Sequence, residues 1–567
     1  MIPRFQIVLA ILSWLIVSFG QPAMSEWLGL IAASCGYAIF CRVLLCHSSR
    51  KARFFIGTLW FASVQLVQLY WLISHPYLYI YAVYVLLAIL FGLQFGFLSI
   101  FITPKNLSRY SSIISIAAAW TLLEWSRLYY FSGFSWNPTG LALTGNLYSL
   151  QFASFAGIYG LTFWVIFINL SCLKAWVEGF KSSQTILWIS LCLTPYLYGL
   201  IQIESHATSF KDDPNRLQIV LLHTHFLTTE DNSYLDKRNT ISHVMDQWGQ
   251  LLEPLKQHQG SKLDLIVLPE YVVLCGTYSC VFPYEKVTQL FQDKFGPNIT
   301  AAFPPHSPVF SRAIYSNEGT PVYFVNNAFL GQTLSNHFNA GVLIGLEDAE
   351  DNQEGVREYY STAQYFQPYR YDTIPHRYDK RILLPLGEYI PFSWCRSLAA
   401  NYGVLGSFTQ GKEAKVFTAN RTPFSVSICY EETFGELMLE GRQKGAELLV
   451  NMTSDVWYPY SLLAYQHFTH AKVRTVEAGI PLIRASNVGI SGAVDSFGRE
   501  IRLEQESSDE GDHRALKVEV PLYHYQTPYT LFGDKFIVVA CIFAICFNVI
   551  LQQRSQREME KIGEKTS

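Results

Sequence analysis

The sequence has little charge. Only 15% of its 567 residues are charged and half are apolar, a composition poor in charge for a soluble protein of this length. A membrane portion is therefore expected. The net charge of −3 and the lack of Lys/Arg tracts away from the apolar segments argue against nucleic acid or an acidic macromolecule as a partner.

The sequence also lacks the residue spacings of metal sites. Its eleven cysteines lie mostly in apolar segments, and the seven in those segments have no partner at a metal-site spacing. His376, His467 and His470 likewise have no ligand-like neighbours at a recognisable spacing. Metal catalysis is not supported, and no cofactor is expected. Cys275 and Cys280 either pair in an oxidising compartment or remain thiols.

Long apolar runs lie near both ends of the chain. A transmembrane helix needs about 20 mostly apolar residues. Eight segments qualify, at roughly residues 4–20, 27–47, 54–74, 78–101, 110–125, 152–175, 184–203 and 534–552. The first segment resembles a signal peptide, but no small-residue cleavage site follows it cleanly, which favours a retained anchor. These runs predict three parts: a membrane domain (1–205), a globular domain (206–525), and a last span with its tail (526–567).

Positive residues beside the spans predict their orientation, because cytoplasmic loops carry the excess of Lys and Arg. Such residues follow the second, fourth, sixth and last spans: Arg50, Lys51, Arg53, Lys105, Arg109, Lys181, Arg554, Arg557, Lys561 and Lys565. Arg127 is the exception. The pattern predicts cytoplasmic termini, and seven spans before the globular domain predict that this domain is periplasmic.

The loop between the fifth and sixth spans is rich in aromatic residues. It contains Glu124, Trp125, Arg127, Gly133, Phe134, Trp136 and Pro138. An interfacial aromatic belt is the more common explanation for such a composition. A contact with a lipid substrate is the alternative.

The globular part begins with a strand–helix–strand pattern. Residues 217–222 form an apolar run typical of a buried strand, and apolar residues then recur at helical spacing over 241–255. A second run at 265–268 ends in Pro269-Glu270. Because catalytic groups of open α/β sheets lie at the carboxyl ends of strands, Glu270 is a candidate catalytic residue.

A similar pattern surrounds Cys429. Strand-like residues 424–428 precede this cysteine, helical spacing follows over 434–441, and another strand is predicted at 448–452. A cysteine at a helix start is close to backbone N–H groups that favour a thiolate and can hold an oxyanion. The alternative is a buried structural cysteine, the usual state of a free Cys.

Lys380 lies in a charged cluster, Tyr-Asp-Lys-Arg, that runs into an apolar segment containing Glu388. By itself this lysine would be interpreted as a solvated surface charge. Its position in the chain between Glu270 and Cys429 makes it a third candidate.

Together these residues resemble the nitrilase superfamily of carbon–nitrogen hydrolases. Glu270 in Leu-Pro-Glu, Lys380 in Asp-Lys-Arg and Cys429 in Ile-Cys-Tyr-Glu resemble that superfamily's Glu-Lys-Cys triad. Other stretches resemble its membrane-bound branch, which N-acylates lipoproteins: 124–136, 387–391, 451–457, 466–467 and 484–489. The resemblance implies an α-helical polytopic membrane domain with eight transmembrane helices and an α/β domain built as an αββα sandwich.

The resemblance also implies roles for supporting residues. Glu388 and Glu431 would hold Lys380 and the active-site loops in place, although structural salt bridges would explain either carboxylate nearly as well. Tyr430 and Asn339 would line an acyl pocket. Two segments depart from the family pattern, Leu-His-Thr-His at 222–225 and residues 275–305.

The activity implied by the resemblance is the last step of lipoprotein maturation in a bacterial inner membrane. A phospholipid would acylate Cys429, and the thioester would pass its acyl group to the N-terminal diacylglyceryl-cysteine of an apolipoprotein in a ping-pong reaction. One rival is a membrane-tethered amidase or nitrile hydrolase with the same triad and a water-open pocket. The other is a transporter or channel whose globular domain only binds a ligand. Transport paths usually contain several charged residues within the membrane, whereas the apolar segments of this sequence contain few.

Overall fold

The computed structural model describes residues 4–130, 132–226, 237–371, 376–392, 394, 407–505 and 512–566. The chain forms two compact units. One comprises Met1–Thr208, Val476–Ala478 and Gln526–Ser567, and the other comprises Ser209–Thr475 and Gly479–Tyr525.

The first unit is helical. Its long helices are Arg4–Ser18, Glu26–Leu44, Arg50–Gln68, Tyr79–Ser99, Tyr110–Ser126, Ala153–Val177, Ser182–Asp212 and Asp534–Thr566. Its short helices are Pro104–Leu107, Leu147–Leu150 and Pro528–Phe532. Helices therefore occupy all eight apolar segments.

Fewer of these helices qualify as membrane spans than the eight expected. Within the described residues, five are long and apolar enough to cross a membrane: Glu26–Leu44, Tyr79–Ser99, Ala153–Val177, Ser182–Asp212 and Asp534–Glu558. Arg4–Ser18, with 15 residues, and Tyr110–Ser126, with 17, are shorter than the roughly 20 residues of a typical span.

The two charges expected at the membrane boundary are buried inside the helical unit. Glu124 is 2% exposed, and its carboxylate accepts hydrogen bonds from Thr139 Oγ1 at 2.6 Å, Thr162 Oγ1 at 2.8 Å and Trp120 Nε1 at 2.9 Å. The guanidinium of Arg127 is likewise buried and donates to Gln94. Glu124 therefore joins two helices to the loop at Thr139, an anchoring role that neither the belt nor the lipid-contact interpretation had included.

Replacing Glu124 by glutamine should destabilise the helical unit. In glutamine an NH2 group, which is a donor, replaces one carboxylate oxygen, which is an acceptor. This group then faces the donors that the carboxylate had bound, which costs about 1 to 3 kcal/mol. Thermal unfolding of the detergent-purified protein, followed by tryptophan fluorescence, should show a midpoint several degrees lower. The control is Glu204→Gln, an exposed carboxylate in the helix Ser182–Asp212, and an equal shift in both variants would contradict the anchoring role.

The described residues of the second unit form fifteen strands. They are β1 (Arg216–His223), β2 (Leu265–Val267), β3 (Phe282–Pro283), β4 (Ser311–Tyr315), β5 (Pro321–Val325), β6 (Gly341–Asp351), β7 (Arg357–Phe366), β8 (His376–Asp379), β9 (Val416–Ala419), β10 (Thr422–Ile428), β11 (Leu448–Ser454), β12 (Leu482–Asn487), β13 (Ile490–Val494), β14 (Glu500–Gln505) and β15 (Arg514–Pro521). Two six-stranded sheets have the orders β15-β1-β2-β6-β7-β8 and β14-β13-β12-β11-β10-β9, and a small sheet has the order β3-β5-β4.

Alternation along β1 explains how the layers pack. Ile219 and Leu221 point into a core shared with strands of the second sheet, whereas Val220 and Leu222 point to a core that contains the helix Lys237–Leu255. Each such side chain stabilises the fold by roughly 1.5 to 3 kcal/mol. The first sheet is therefore buried on both faces. A continuous apolar run, like the one that predicted β1, is the pattern expected of a strand in such a sheet.

A helix layer also covers the second sheet. Phe424 and Val426 of β10 face the inner core, so Ser425 between them faces outward. A Cβ added at Gly441, in the helix Gly435–Gln443, would lie 2.1 Å from Ser425 Oγ, so this helix lies directly on the outer face. The order helix, sheet, sheet, helix confirms the nitrilase-like α/β fold. The other α-helices among the described residues of this unit are Tyr284–Phe295, Asn327–Phe338 and Leu463–Ala478.

Candidate active site

The three candidate catalytic side chains each follow a strand. Glu270 lies three residues after β2, Lys380 directly after β8, and Cys429 directly after β10. β2 is parallel to β6, and β8 runs in the same direction as β6 because both are antiparallel to β7. Glu270 and Lys380 therefore come to the same edge of the first sheet.

Lys380 lies between two carboxylates. Its Nζ donates to Glu270 Oε1 at 2.8 Å and to Glu388 Oε1 at 2.6 Å, and its side chain is 2% exposed. Burial lowers the pKa of Lys380, but the charges of Glu270 and Glu388 outweigh it and raise that pKa well above its usual value. The ammonium has three N–H groups and uses two here, which leaves one for a ligand atom.

Glu270 has the environment of a general base. Burial raises its pKa above the usual carboxyl range; the charge of Lys380 opposes this shift, and that of Glu388 adds to it. Glu270 and Cys429 also affect each other: the Cys429 side chain lowers the pKa of Glu270, and the charge of Glu270 raises the pKa of Cys429. A carboxylate with a raised pKa next to a thiol can both accept the thiol proton and return it.

Cys429 occupies a strained turn. It has a φ of 53°, in the left-handed region where a residue with a Cβ costs of order 1 to 3 kcal/mol. Burial raises the pKa of its thiol, the charge of Glu270 raises it further, and that of Lys380 opposes the rise. The resting group is a neutral thiol that needs the adjacent base to become a nucleophile.

The two supporting glutamates have different partners. Glu388 accepts from Lys380 Nζ and from the backbone N–H of Leu384 at 2.8 Å. Glu431 accepts from the backbone N–H of Ile428 at 2.7 Å and of Ile382 at 3.0 Å. Glu431 thus joins the Cys429 turn to the chain just after the lysine.

The structure does not bring Asn339 to this site. Asn339 is exposed, has a φ of 47° and caps the carboxyl end of the helix Asn327–Phe338. It lies two residues before the start of β6, whose first residues pair in parallel with the start of β2, whereas Glu270 follows the end of β2. Because these strands are parallel, Asn339 lies at the opposite edge of the sheet from Glu270. Tyr430 is half-buried, and its ring packs edge-on against Phe434.

Sequence reasoning missed a second group of buried charges near Cys429. It consists of Glu432, Asp455, His467 and Arg484. The sequence did contain an indication of this group. Arg484 interrupts the apolar strand β12, and an arginine inside a buried strand must have a partner. His467 had been considered as a metal ligand and as part of a stretch that resembles the membrane-bound branch, and no contact with Asp455 or Arg484 had been expected.

A Cys beside a Glu-Lys-Glu cluster in a four-layer α/β sandwich is the arrangement of a carbon–nitrogen hydrolase domain. The family model described as carbon-nitrogen hydrolase matches residues 233–508, and that described as apolipoprotein N-acyltransferase N-terminal domain matches residues 15–171. The chain is 30% identical to an apolipoprotein N-acyltransferase of Chlamydia pneumoniae, over 95% of this chain and 96% of that one. It belongs to the apolipoprotein N-acyltransferase family.

More distant relatives carry the same name. An apolipoprotein N-acyltransferase of Rickettsia bellii is 25% identical over 77% of this chain and 75% of its own length. A solved carbon-nitrogen hydrolase of Helicobacter pylori matches 54% of this chain and 89% of its own, with 16% identity and a TM-score of 0.32. The family assignment rests on the sequence relatives.

Proposed function

We propose that this protein moves an acyl chain from a membrane phospholipid to the α-amino group of an N-terminal diacylglyceryl-cysteine, through a thioester on Cys429. The observation that carries the proposal is the cluster of Glu270, Lys380 and Glu388 near a half-buried cysteine in a chain of this family. The same family supports an inner-membrane location with eight spans, cytoplasmic termini and a periplasmic second unit.

In the first half-reaction Glu270 takes the proton of the Cys429 thiol, and the sulfur attacks the ester carbonyl carbon. The unused N–H of Lys380 and a backbone N–H of the Cys429 turn donate to the oxyanion, a contribution of about 3 to 4 kcal/mol per donor. The carbon–oxygen bond of the ester then breaks. The lysophospholipid leaves with the proton that Glu270 returns.

In the second half-reaction the amine of the acceptor attacks the thioester. Glu270 takes a proton from the attacking nitrogen, the carbon–sulfur bond breaks, and the Cys429 sulfur is released and reprotonated. The product is an amide. The sulfur and the carboxyl group return to their starting states, so one site serves both halves.

The test is the intact mass of the purified full-length protein after incubation with a phospholipid of a single acyl composition. One acyl group should be added and removed by hydroxylamine, with no addition in Cys429→Ala and full addition in Cys280→Ala. A diacylglyceryl-cysteinyl peptide should then discharge the adduct and gain the acyl group. If folded protein with lipid gives no adduct, the phospholipid mechanism fails and a tethered amidase becomes the better explanation.

Replacing Glu388 by glutamine should move the acid limb of thioester formation to lower pH. Glu270 acts as a base only when ionised, so its raised pKa places this limb above the usual carboxyl range. The Glu388 charge contributes to that rise, and its removal lowers the Glu270 pKa. Single-turnover rates measured across pH check this, and a limb that stays in place or moves upward would contradict the assigned coupling.

A further inference from the structure

Glu270 reaches a lysine that follows a distant strand of the same sheet. The first sheet has the order β15-β1-β2-β6-β7-β8, so β6 and β7 separate β2, which leads to Glu270, from β8, which leads to Lys380. Neighbouring strands are about 4.8 Å apart, which puts the ends of β2 and β8 roughly 14 Å apart. Glu270 Oε1 and Lys380 Nζ are nevertheless 2.8 Å apart, so the chain after β2 has to turn across β6.

The chain crosses β6 at Gly345. A Cβ atom added to Gly345 would collide with the carbonyl oxygen of Pro269, and it would lie 2.6 Å from Glu270 Cα and 2.7 Å from the backbone nitrogen of Tyr271. All three are backbone atoms, so rotation of a side chain cannot make room for a methyl group. The turn that carries Glu270 therefore lies directly on this glycine.

The crossing is on the face of β6 that points to the second sheet. Leu343 belongs to the core that the two sheets share, whereas Ile344 and Leu346 belong to the core on the other face. Because side chains alternate along a strand, a side chain at Gly345 would point to the same face as Leu343. The turn thus places Glu270 between the two sheets, and the second sheet carries Cys429 at the end of β10.

The turn is strained and is tied to β6 on both sides. Tyr271 has a φ of 50°, in the left-handed region that is unfavourable for a residue with a Cβ. The N–H of Leu268 donates to the carbonyl oxygen of Leu343 at 2.8 Å, and the N–H of Val272 donates to that of Gly345 at 3.2 Å. Such a conformation persists only where the surrounding structure holds it.

A side-chain hydrogen bond adds to these ties. Tyr271 Oη donates to Glu347 Oε2 at 2.5 Å. Glu347 lies two residues after Gly345 in β6, so both residues belong to the same face of this strand. One strand therefore supplies both the space for the turn and the acceptor for its tyrosine.

We propose that Tyr271, Gly345 and Glu347, which we call the base seat, are positioning residues for the general base Glu270. Gly345 gives the turn the room to cross β6, and the hydrogen bond from Tyr271 to Glu347 keeps the strained turn in place. The base seat acts through the position of Glu270 and not by contact with the reacting atoms. The inference deepens the proposed acyl transfer and rests on it.

Gly345→Ala should slow single-turnover thioester formation about a hundredfold, the effect of displacing a reacting group by about 1 Å. The half-saturating phospholipid concentration should not change, because Glu270 takes part in the reaction and not in lipid binding. Gly341→Ala is the matched control in β6. Its methyl group would meet the side chain of Tyr365 at the opposite edge of the sheet, and its rate should stay close to that of the wild type.

A double-mutant cycle with Glu270→Gln distinguishes positioning from general damage. In the Glu270→Gln background the base is already lost, so Gly345→Ala should add little further loss. Losses that multiply in the double variant would show that Gly345 acts independently of Glu270, and they would overturn the proposal.

Tyr271→Phe tests the base seat without a change in backbone packing, should Gly345→Ala fail to fold. It removes the donor to Glu347 and should slow thioester formation about tenfold, the lower end of the range for a hydrogen bond to a charged group. Glu347→Ala should lose as much, whereas Glu347→Gln keeps an acceptor oxygen and should lose less. Tyr271→Phe combined with Glu347→Ala should be no slower than either alone, because both remove one hydrogen bond.

A lipid-free measurement separates this inference from the proposed function. The charge of Glu270 raises the pKa of the Cys429 thiol, that of Asp455 also raises it, and that of Lys380 lowers it. In Tyr271→Phe the turn can relax and Glu270 withdraws from the thiol. Alkylation of Cys429 by iodoacetamide should therefore move to lower pH.

The other two glycine variants complete this measurement. The alkylation profile should also leave its wild-type position in Gly345→Ala, and it should stay in place in Gly341→Ala. Unchanged profiles in Tyr271→Phe and Gly345→Ala would overturn the base seat. If wild-type protein forms no acyl adduct but these changes occur, the acyl-transfer proposal fails and the base seat stands.

Discussion

Glu270→Gln should slow thioester formation by about 100- to 10,000-fold, the range for loss of a general acid–base group. Glutamine keeps the volume and can still accept from Lys380 Nζ, which lies 2.8 Å from the Glu270 oxygen. It cannot take the Cys429 proton or return it to the leaving lysophospholipid. Rapid-quench single turnovers with a labelled phospholipid measure the rate.

The same variant should ionise its thiol more easily. The charge of Glu270 raises the pKa of Cys429, so its removal lowers that pKa and moves alkylation by iodoacetamide to lower pH. Alkylation needs no proton on a leaving group, whereas acyl transfer does. A loss of both reactions would contradict this base role, and Glu413→Gln, an exposed carboxylate, is the control that should change neither.

Lys380→Met should lower the rate of thioester formation by about 100- to 1,000-fold, the usual effect of removing one oxyanion donor. A second effect of the substitution also lowers the rate at neutral pH. The Lys380 charge lowers the pKa of Glu270, so its loss raises that pKa and leaves more of the base protonated at neutral pH. The acid limb of the pH profile should therefore move upward while the maximal rate falls.

The direction of the limb is the decisive observation for Lys380. An oxyanion donor without electrostatic influence on Glu270 would lower the rate and leave the limb in place. Lys415→Met, at a half-exposed lysine, is the matched control and should change neither quantity. Thermal unfolding of both variants shows whether the fold has survived the loss of the buried charge.

Local patterns were enough to place the catalytic elements. The apolar run at 217–222 predicted β1, and the runs at 265–268 and 424–428 predicted β2 and β10, all three of which are confirmed. A strand end is a local property of the sequence, because the alternation or apolar run stops there. The chain positions of Glu270 and Cys429 therefore followed from local sequence.

Neighbouring residues show where local reasoning ended. Glu431 and Glu432 are adjacent in the turn Cys429–Thr433, yet Glu431 binds backbone N–H groups near Ile428 and Glu432 binds Arg484. In a turn with three residues per helical turn, adjacent side chains point about 120° apart. The partner that each of these two side chains contacts depends on strands that are distant in the sequence.

Local sequence patterns were sufficient for the apolar helices, for strands β1, β2, β10 and β11, and for the residues at the strand ends, because each depends on a pattern over a few residues. Tertiary structure alone decided that Lys380 lies between Glu270 and Glu388, that Asn339 lies at the opposite edge of the sheet, and that Glu124 is buried. These facts depend on how parallel strands and packed helices bring distant residues together. Burial and charge pairing are set by those contacts, and no local pattern records them.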